Sequence, residues 1–183
     1  MKYYVVLIRG INVGGKNKMP MAKLKTCLEE LGFSDVTTYI ASGNAIIGSN
    51  KSADQIKTLI EKALPKNFKL DSGLLKVLVL TKSQIQTVVS HSPKEFGEEP
   101  KKYHSDVIFL IGITTTQAMK VFTPKEGVDK IWKGKGVIYS QRLSALRTKS
   151  RLNRIMMAPE YKSMTIRNWN TTTKLAQLLE NKW

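Results

Sequence analysis

An unbroken apolar run, Tyr3 to Ile8, has the length and composition of a buried strand. Beyond it the apolar positions change to helical spacing. Met21, Leu24, Cys27, Leu28 and Leu31 share one face, with Pro20 at the first helical position and Gly32 just past the last, which predicts a helix over Pro20 to Leu31. Val36 to Ile40 reads as a second strand, Ser42-Gly43-Asn44 as a tight turn, and Ala45 to Gly48 as the returning third strand. Ser52 followed by Gln55 is a capping box, and the stripe Ile56, Leu59, Ile60 and Ala63 carries a helix to about Pro65. Leu74 to Leu80 is the expected fourth strand.

Strand, helix, strand, strand, helix, strand is the ferredoxin-like order. The fold class expected is therefore α+β, with a ferredoxin-like N-terminal subdomain over residues 1–82 packed with a second, smaller and basic α+β subdomain over residues 83–183. In the second part, helices are expected over Ser83 to Ser90 and Thr115 to Val121, a strand over Asp106 to Ile111, and a hairpin at Lys133-Gly134-Lys135-Gly136. Helical segments follow near Leu143 to Met156 and Thr171 to Asn181. A polar loop lies around Pro93 to Pro100, and the sequence shows no internal repeat.

Composition sharpens this picture on one point. A hydrophobic content of 42% over 183 residues is enough for a real core, but 30 Lys and Arg against 14 Asp and Glu leave a formal charge of +16. Such charge points to an anionic partner; the plain alternative is a solvated basic surface without a dedicated ligand. Cys27, the lone cysteine, lies on the apolar helix face and reads as a buried thiol. The apolar run at Tyr3 to Ile8 is too short for a signal-peptide core and nothing approaches a membrane span, so cytoplasmic residence and no membrane partner are expected.

Gly10-Ile11-Asn12-Val13-Gly14-Gly15-Lys16-Asn17 follows the phosphate-binding P-loop spacing except at its last position, where Asn replaces the Ser or Thr that would hold magnesium. Pro20 also delays the helix start beyond Lys16, so the nucleotide-hydrolase reading lacks both its metal ligand and its setting. A weaker reading is an anion cradle, in which glycine N–H groups point inward while Arg9, Lys16 and Lys18 add charge. The alternative is a wide connection whose glycines only permit positive φ. The ferredoxin-like order brings this loop and the Ser42 turn to the same end, so Arg9, Asn12, Gly14, Gly15, Lys16, Asn17, Ser42 and Asn44 form the candidate anion site.

Between Asp129 and Glu160 there is no acidic residue, while Lys133, Lys135, Arg142, Arg147, Lys149, Arg151 and Arg154 fall there. On an α-helix, Arg147, Arg151 and Arg154 would form one stripe with Leu152, Ile155 and Met156 facing elsewhere, and such a stripe suits a nucleic-acid backbone. The alternative is a solvated face whose arginines pair with acids elsewhere. Aromatics suited to base stacking are missing from Ala45 to Gly48, which disfavours sequence reading by an RNA-recognition sheet. In Asn168-Trp169-Asn170, either Asn is a helix cap and Trp169 a core ring, or else Arg167 and the helix N–H groups meet an anion.

His91 and His104 belong to no metal-ligand spacing, and no nucleophile motif appears, so no catalytic residue, metal or cofactor is assigned. Three stretches, Arg9 to Asn17, Ser42-Gly43-Asn44 and Arg167-Asn168-Trp169-Asn170-Thr171, resemble the signatures of the bacterial family called domain of unknown function 1697. The resemblance spans nearly the full chain and implies a bacterial α+β protein whose first and last segments belong to one unit. It implies no activity, because that family has none established. The function expected is a noncatalytic binder of phosphate-bearing partners, nucleic acid first, through Arg147, Arg151, Arg154 and Arg167; the alternative is an enzyme or sensor for a phosphorylated metabolite or nucleotide at the glycine loop.

Overall fold

The computed structural model describes residues 1–71, 73 and 75–182. Two four-stranded antiparallel sheets, with helices, make the chain an α+β protein. It divides into two compact units, Met1–Ile85 together with Leu175–Trp183, and Gln86–Lys174. Both boundaries fall inside helices, Lys82–Ser90 and Trp169–Glu180.

The first unit is ferredoxin-like. Its elements are β1 (Lys2–Arg9), α1 (Met21–Glu30), β2 (Ser34–Tyr39), β3 (Asn44–Ser49), α2 (Ala53–Asn67) and β4 (Lys76–Thr81), with strand order β2-β3-β1-β4. Alternate residues of β1, Tyr4, Val6 and Ile8, join one core cluster with Leu24 and Leu28 of α1, Ile56 and Ile60 of α2, and Val77 of β4. Each fully buried aliphatic side chain there contributes about 2 kcal/mol. Helix α1 ends in a Schellman motif, with Phe33 N–H donating to Leu28 O at 3.3 Å and Gly32 N–H to Glu29 O at 2.9 Å. The Ser52 and Gln55 capping box of α2 forms as expected. Pro65 does not stop that helix, since it lies in the last turn and removes only its own N–H donor. Leu74, the expected first residue of β4, lies outside the described residues.

The second unit repeats the topology that the sequence does not repeat. Strands β5 (Tyr103–Leu110), β6 (Asp129–Lys133), β7 (Val137–Leu143) and β8 (Met164–Asn168) lie in the order β6-β7-β5-β8, and α4 (Thr115–Met119) follows β5 as α1 follows β1; α3 and α5 are Lys82–Ser90 and Trp169–Glu180. Where the first unit has α2, this one has three 3₁₀ turns, Ser144–Lys149, Leu152–Met157 and Pro159–Ser163. The helix expected near Leu143 to Met156 is therefore corrected. Leu143 is still strand, Leu146 breaks helical geometry at φ −113, and the buried pair Leu152 and Ile155 is spaced by three, the period of a 3₁₀ turn. Strand β8 escaped the sequence pattern because its inward positions include Thr165 and Arg167, which are polar.

Candidate functional site

At the end of β1 the glycine loop closes on itself. Val13 and Lys16 form an isolated antiparallel bridge, Lys16 N–H donates to Val13 O at 3.0 Å, and Gly14 and Gly15 between them have φ of 57° and 76°. Two successive positive φ values are those of a type I′ hairpin turn, which explains the glycine pair without a ligand. The P-loop spacing thus encodes a tight hairpin, and α1 begins only after Pro20. Asn12 N–H donates to Asn17 O at 3.1 Å across the hairpin base.

The asparagine side chains hold that hairpin to its neighbours. Asn12 Nδ2 donates to Met19 O at 3.0 Å and Ala41 O at 2.7 Å, while its Oδ1 accepts from Met19 N–H at 2.7 Å. Asn17 Nδ2 donates to Gly10 O at 2.6 Å, and its Oδ1 accepts from Asp71 N–H at 2.7 Å. Both amides are positioning groups for the backbone. The β2–β3 turn is braced similarly: Asn44, fully buried, donates from Nδ2 to Tyr39 O at 3.0 Å and Ser42 Oγ at 2.9 Å. Gly43, at φ 78°, accepts from Ile8 N–H at 2.8 Å, and an added Cβ would stand 2.7 Å from Ile8 O. The structure therefore brings Asn12, Gly14, Gly15, Lys16 and Asn17 to the end where Ser42 and Asn44 lie, beside Arg9 at the close of β1. Lys16 is exposed and Arg9 half-buried.

In the second unit Arg147, Arg151 and Arg154 are exposed, but Arg147 and Arg154 lie on two separate 3₁₀ turns and Arg151 in the link between them. Among the described residues, neither these three nor Lys149 has a side-chain ion pair. Asp129, at the edge of the acid-free stretch, is 7% exposed, and its Oδ2 accepts from Lys125 N–H at 2.9 Å and Arg151 N–H at 2.8 Å. Its carboxylate thus anchors backbone instead of neutralising arginine side chains. Its Oδ1 is buried with no hydrogen-bond partner among the described residues.

Arg167 does not belong to that surface. It is 6% exposed, Nη1 donates to Thr165 Oγ1 at 2.9 Å and Ile166 O at 2.8 Å, and burial pushes its guanidinium down to about 10. Asn168 caps α5 by accepting from Asn170 N–H at 2.9 Å. Trp169 packs edge-on against Phe96, 5.1 Å between centroids, and Phe96 also meets Tyr139 at 5.2 Å and Trp132 at 5.9 Å. Beside Trp169 a cavity of about 80 Å³ is lined by Gly97, Tyr103, His104, Ser105 and Asn168, with His104 Nε2 3.0 Å from Asp106 Oδ2. No three metal-ligating side chains gather, and no helix is long and apolar enough to cross a membrane, among the described residues.

Sequence reasoning missed the exposure of Met156 and Met157, 55% and 90%. An α-helix would turn Met156 away from the arginine stripe together with Leu152 and Ile155; a repeat of three instead of 3.6 separates it from that pair and turns it outward. The signal was present in the three-residue spacing of the apolar residues.

Comparison with known proteins agrees with this architecture. The solved structure of a conserved bacterial protein from Streptococcus pneumoniae is similar at a TM-score of 0.82 and 27% identity, over 97% of this chain and 98% of that one. No curated protein matches the sequence. A family model described as "Protein of unknown function (DUF1697)" matches residues 1–139, which include the glycine hairpin and the β2–β3 turn. The chain belongs to this bacterial family of unknown function.

Proposed function

We propose that the protein is a noncatalytic binder of phosphate-bearing polyanions, nucleic acid first, through the 3₁₀ segment between β7 and β8. The observation that supports this most is the set Arg147, Lys149, Arg151 and Arg154, exposed and without a carboxylate partner among the described residues, beside an Asp129 whose charge is buried. Unpartnered arginines keep their full donor set for phosphate oxygens, and the formal charge of +16 attracts polyanions at long range. Fluorescence anisotropy with labelled oligonucleotides across a salt series tests the reading. Affinity should fall linearly in a log–log plot, with a slope of about −0.7 per phosphate neutralised on a single strand. Arg151→Glu with Arg154→Glu should flatten that slope. Binding that ignores salt, or none at low salt, would sink the proposal.

A second reading is a site for a phosphorylated metabolite or nucleotide at the glycine hairpin. The convergence of the hairpin and the β2–β3 turn through Asn12 and Ala41 favours it. The commitment of both asparagine amides to backbone carbonyls weighs against it. A thermal-shift screen separates the two, because a ligand held by the native state raises apparent stability by mass action. A small ligand whose stabilisation persists in salt and disappears in Lys16→Ala would favour the hairpin.

A further inference from the structure

Within the 3₁₀ turn Leu152–Met157, residues three apart stand above one another. Leu152 and Ile155 form the buried edge, at 7% and 4% exposure, and Arg151, Arg154 and Met157 therefore fall along one outward edge with Met156 beside them. Two large apolar side chains, 55% and 90% exposed, thus sit at the end of an arginine ridge. We propose that Met156 and Met157 make this ridge selective for single-stranded nucleic acid, the arginines holding phosphates while the thioethers receive unstacked base faces; the inference rests on the polyanion-binding reading above.

Arginines and methionines divide the labour on this ridge. Charge complementarity restricts the occupant to a polyanion, but arginines alone do not distinguish a duplex from a single strand. In a duplex the base faces are hidden in the stack, so exposed methionines next to phosphate contacts gain little. A single strand presents those faces, and a polarizable, unbranched thioether adapts to any of them. The preference should accordingly be for strandedness and not for sequence.

The test is an anisotropy titration at one salt concentration with three labelled probes of equal phosphate count: a mixed-sequence single strand, an abasic strand and a duplex. The wild-type protein should bind the single strand roughly tenfold tighter than the abasic strand, the scale of withdrawing one methionine side chain from water. Met156→Ser with Met157→Ser, at exposed positions that leave the core intact, should erase that preference while leaving the abasic affinity unchanged. Equal binding of base-bearing and abasic strands overturns the inference, as does a preference that survives in the variant. Tighter binding to the duplex, or methionine-dependent binding to anionic vesicles alone, also overturns it. Failure to bind any of the three probes is a different result, which overturns the polyanion-binding reading beneath it.

Discussion

The side-chain amide of Asn12 donates to the carbonyl of Ala41 at 2.7 Å and so ties the glycine hairpin to the β2–β3 turn. Two loops from distant parts of the chain are thereby held as one surface, and Asn12 does this from φ 52°, a conformation that Asn tolerates better than most side chains. Asn12→Ala removes two donated bonds and one accepted bond and leaves a methyl group in the left-handed region. A loss of about 2 kcal/mol is expected, read from urea unfolding.

Gly43 and Gly14 both have positive φ but face different surroundings. At Gly43 a methyl group would meet Ile8 O at 2.7 Å and Ile11 Cδ1 at 2.9 Å, whereas at Gly14 it meets nothing within 4 Å. Gly14→Ala should cost about 1 kcal/mol, the strain of the conformation alone. Gly43→Ala should cost about 3 kcal/mol, because crowding adds to strain. Equal midpoint shifts for the two variants would remove the steric argument.

Gly97, at φ 80°, lies against the Trp169 indole, which an added Cβ would overlap. Gly97→Ala should displace that ring from Phe96, change the near-ultraviolet circular dichroism of the tryptophans and lower the thermal midpoint. Phe96→Leu, which removes the ring but stays apolar and makes no steric clash, should change the same spectrum with a smaller loss of stability.

Tyr139 is buried and donates to Val88 O at 2.7 Å, and burial pushes its phenol up to about 12 from 10.0. Between those values the unfolded chain ionises while the folded one keeps its proton, so this group's contribution is fully present below pH 10 and is lost as pH rises toward 12. Arg167 acts oppositely over an overlapping window, because burial lowers its folded value to about 10 from the ordinary guanidinium range and the unfolded chain there binds more protons. The difference in unfolding free energy between wild type and Tyr139→Phe isolates the tyrosine. That difference should shrink as pH rises from 10 to 12, and a constant difference would contradict the assignment.

Cys27 is 4% exposed, and burial, with a smaller push from Glu30, raises its thiol above the ordinary value. Alkylation by a small thiol reagent at neutral pH should therefore be slow in the native protein and should accelerate with added urea in step with unfolding. Rapid native labelling would show the thiol to be accessible.

Much of this fold was legible from local pattern, because alternation, capping and turn chemistry act over a few residues. Tyr4, Val6 and Ile8 alternate, Ser52 and Gln55 cap α2, and Gly32 closes α1, so the first unit's element order and the meeting of its two loops followed from the sequence by itself. What those loops do followed only from tertiary structure. The spacing of Gly10 to Lys16 is shared by a phosphate cradle and a hairpin, and the carbonyls that engage Asn12 and Asn17 come from positions seven or more residues away.

In the second unit the sequence alone determined the excess of positive charge and its confinement to one stretch. Packing against the sheet decided how that charge is displayed. Leu152 and Ile155 must both reach the core, a spacing of three selects the 3₁₀ turn, and the turn sends Arg151, Arg154 and Met157 outward together. Arg167 shows the converse, since its charge reads as a surface contact until its register opposite Val107 in the buried part of the sheet turns it inward. A side chain's chemistry is local, but its direction depends on which neighbours the rest of the chain supplies.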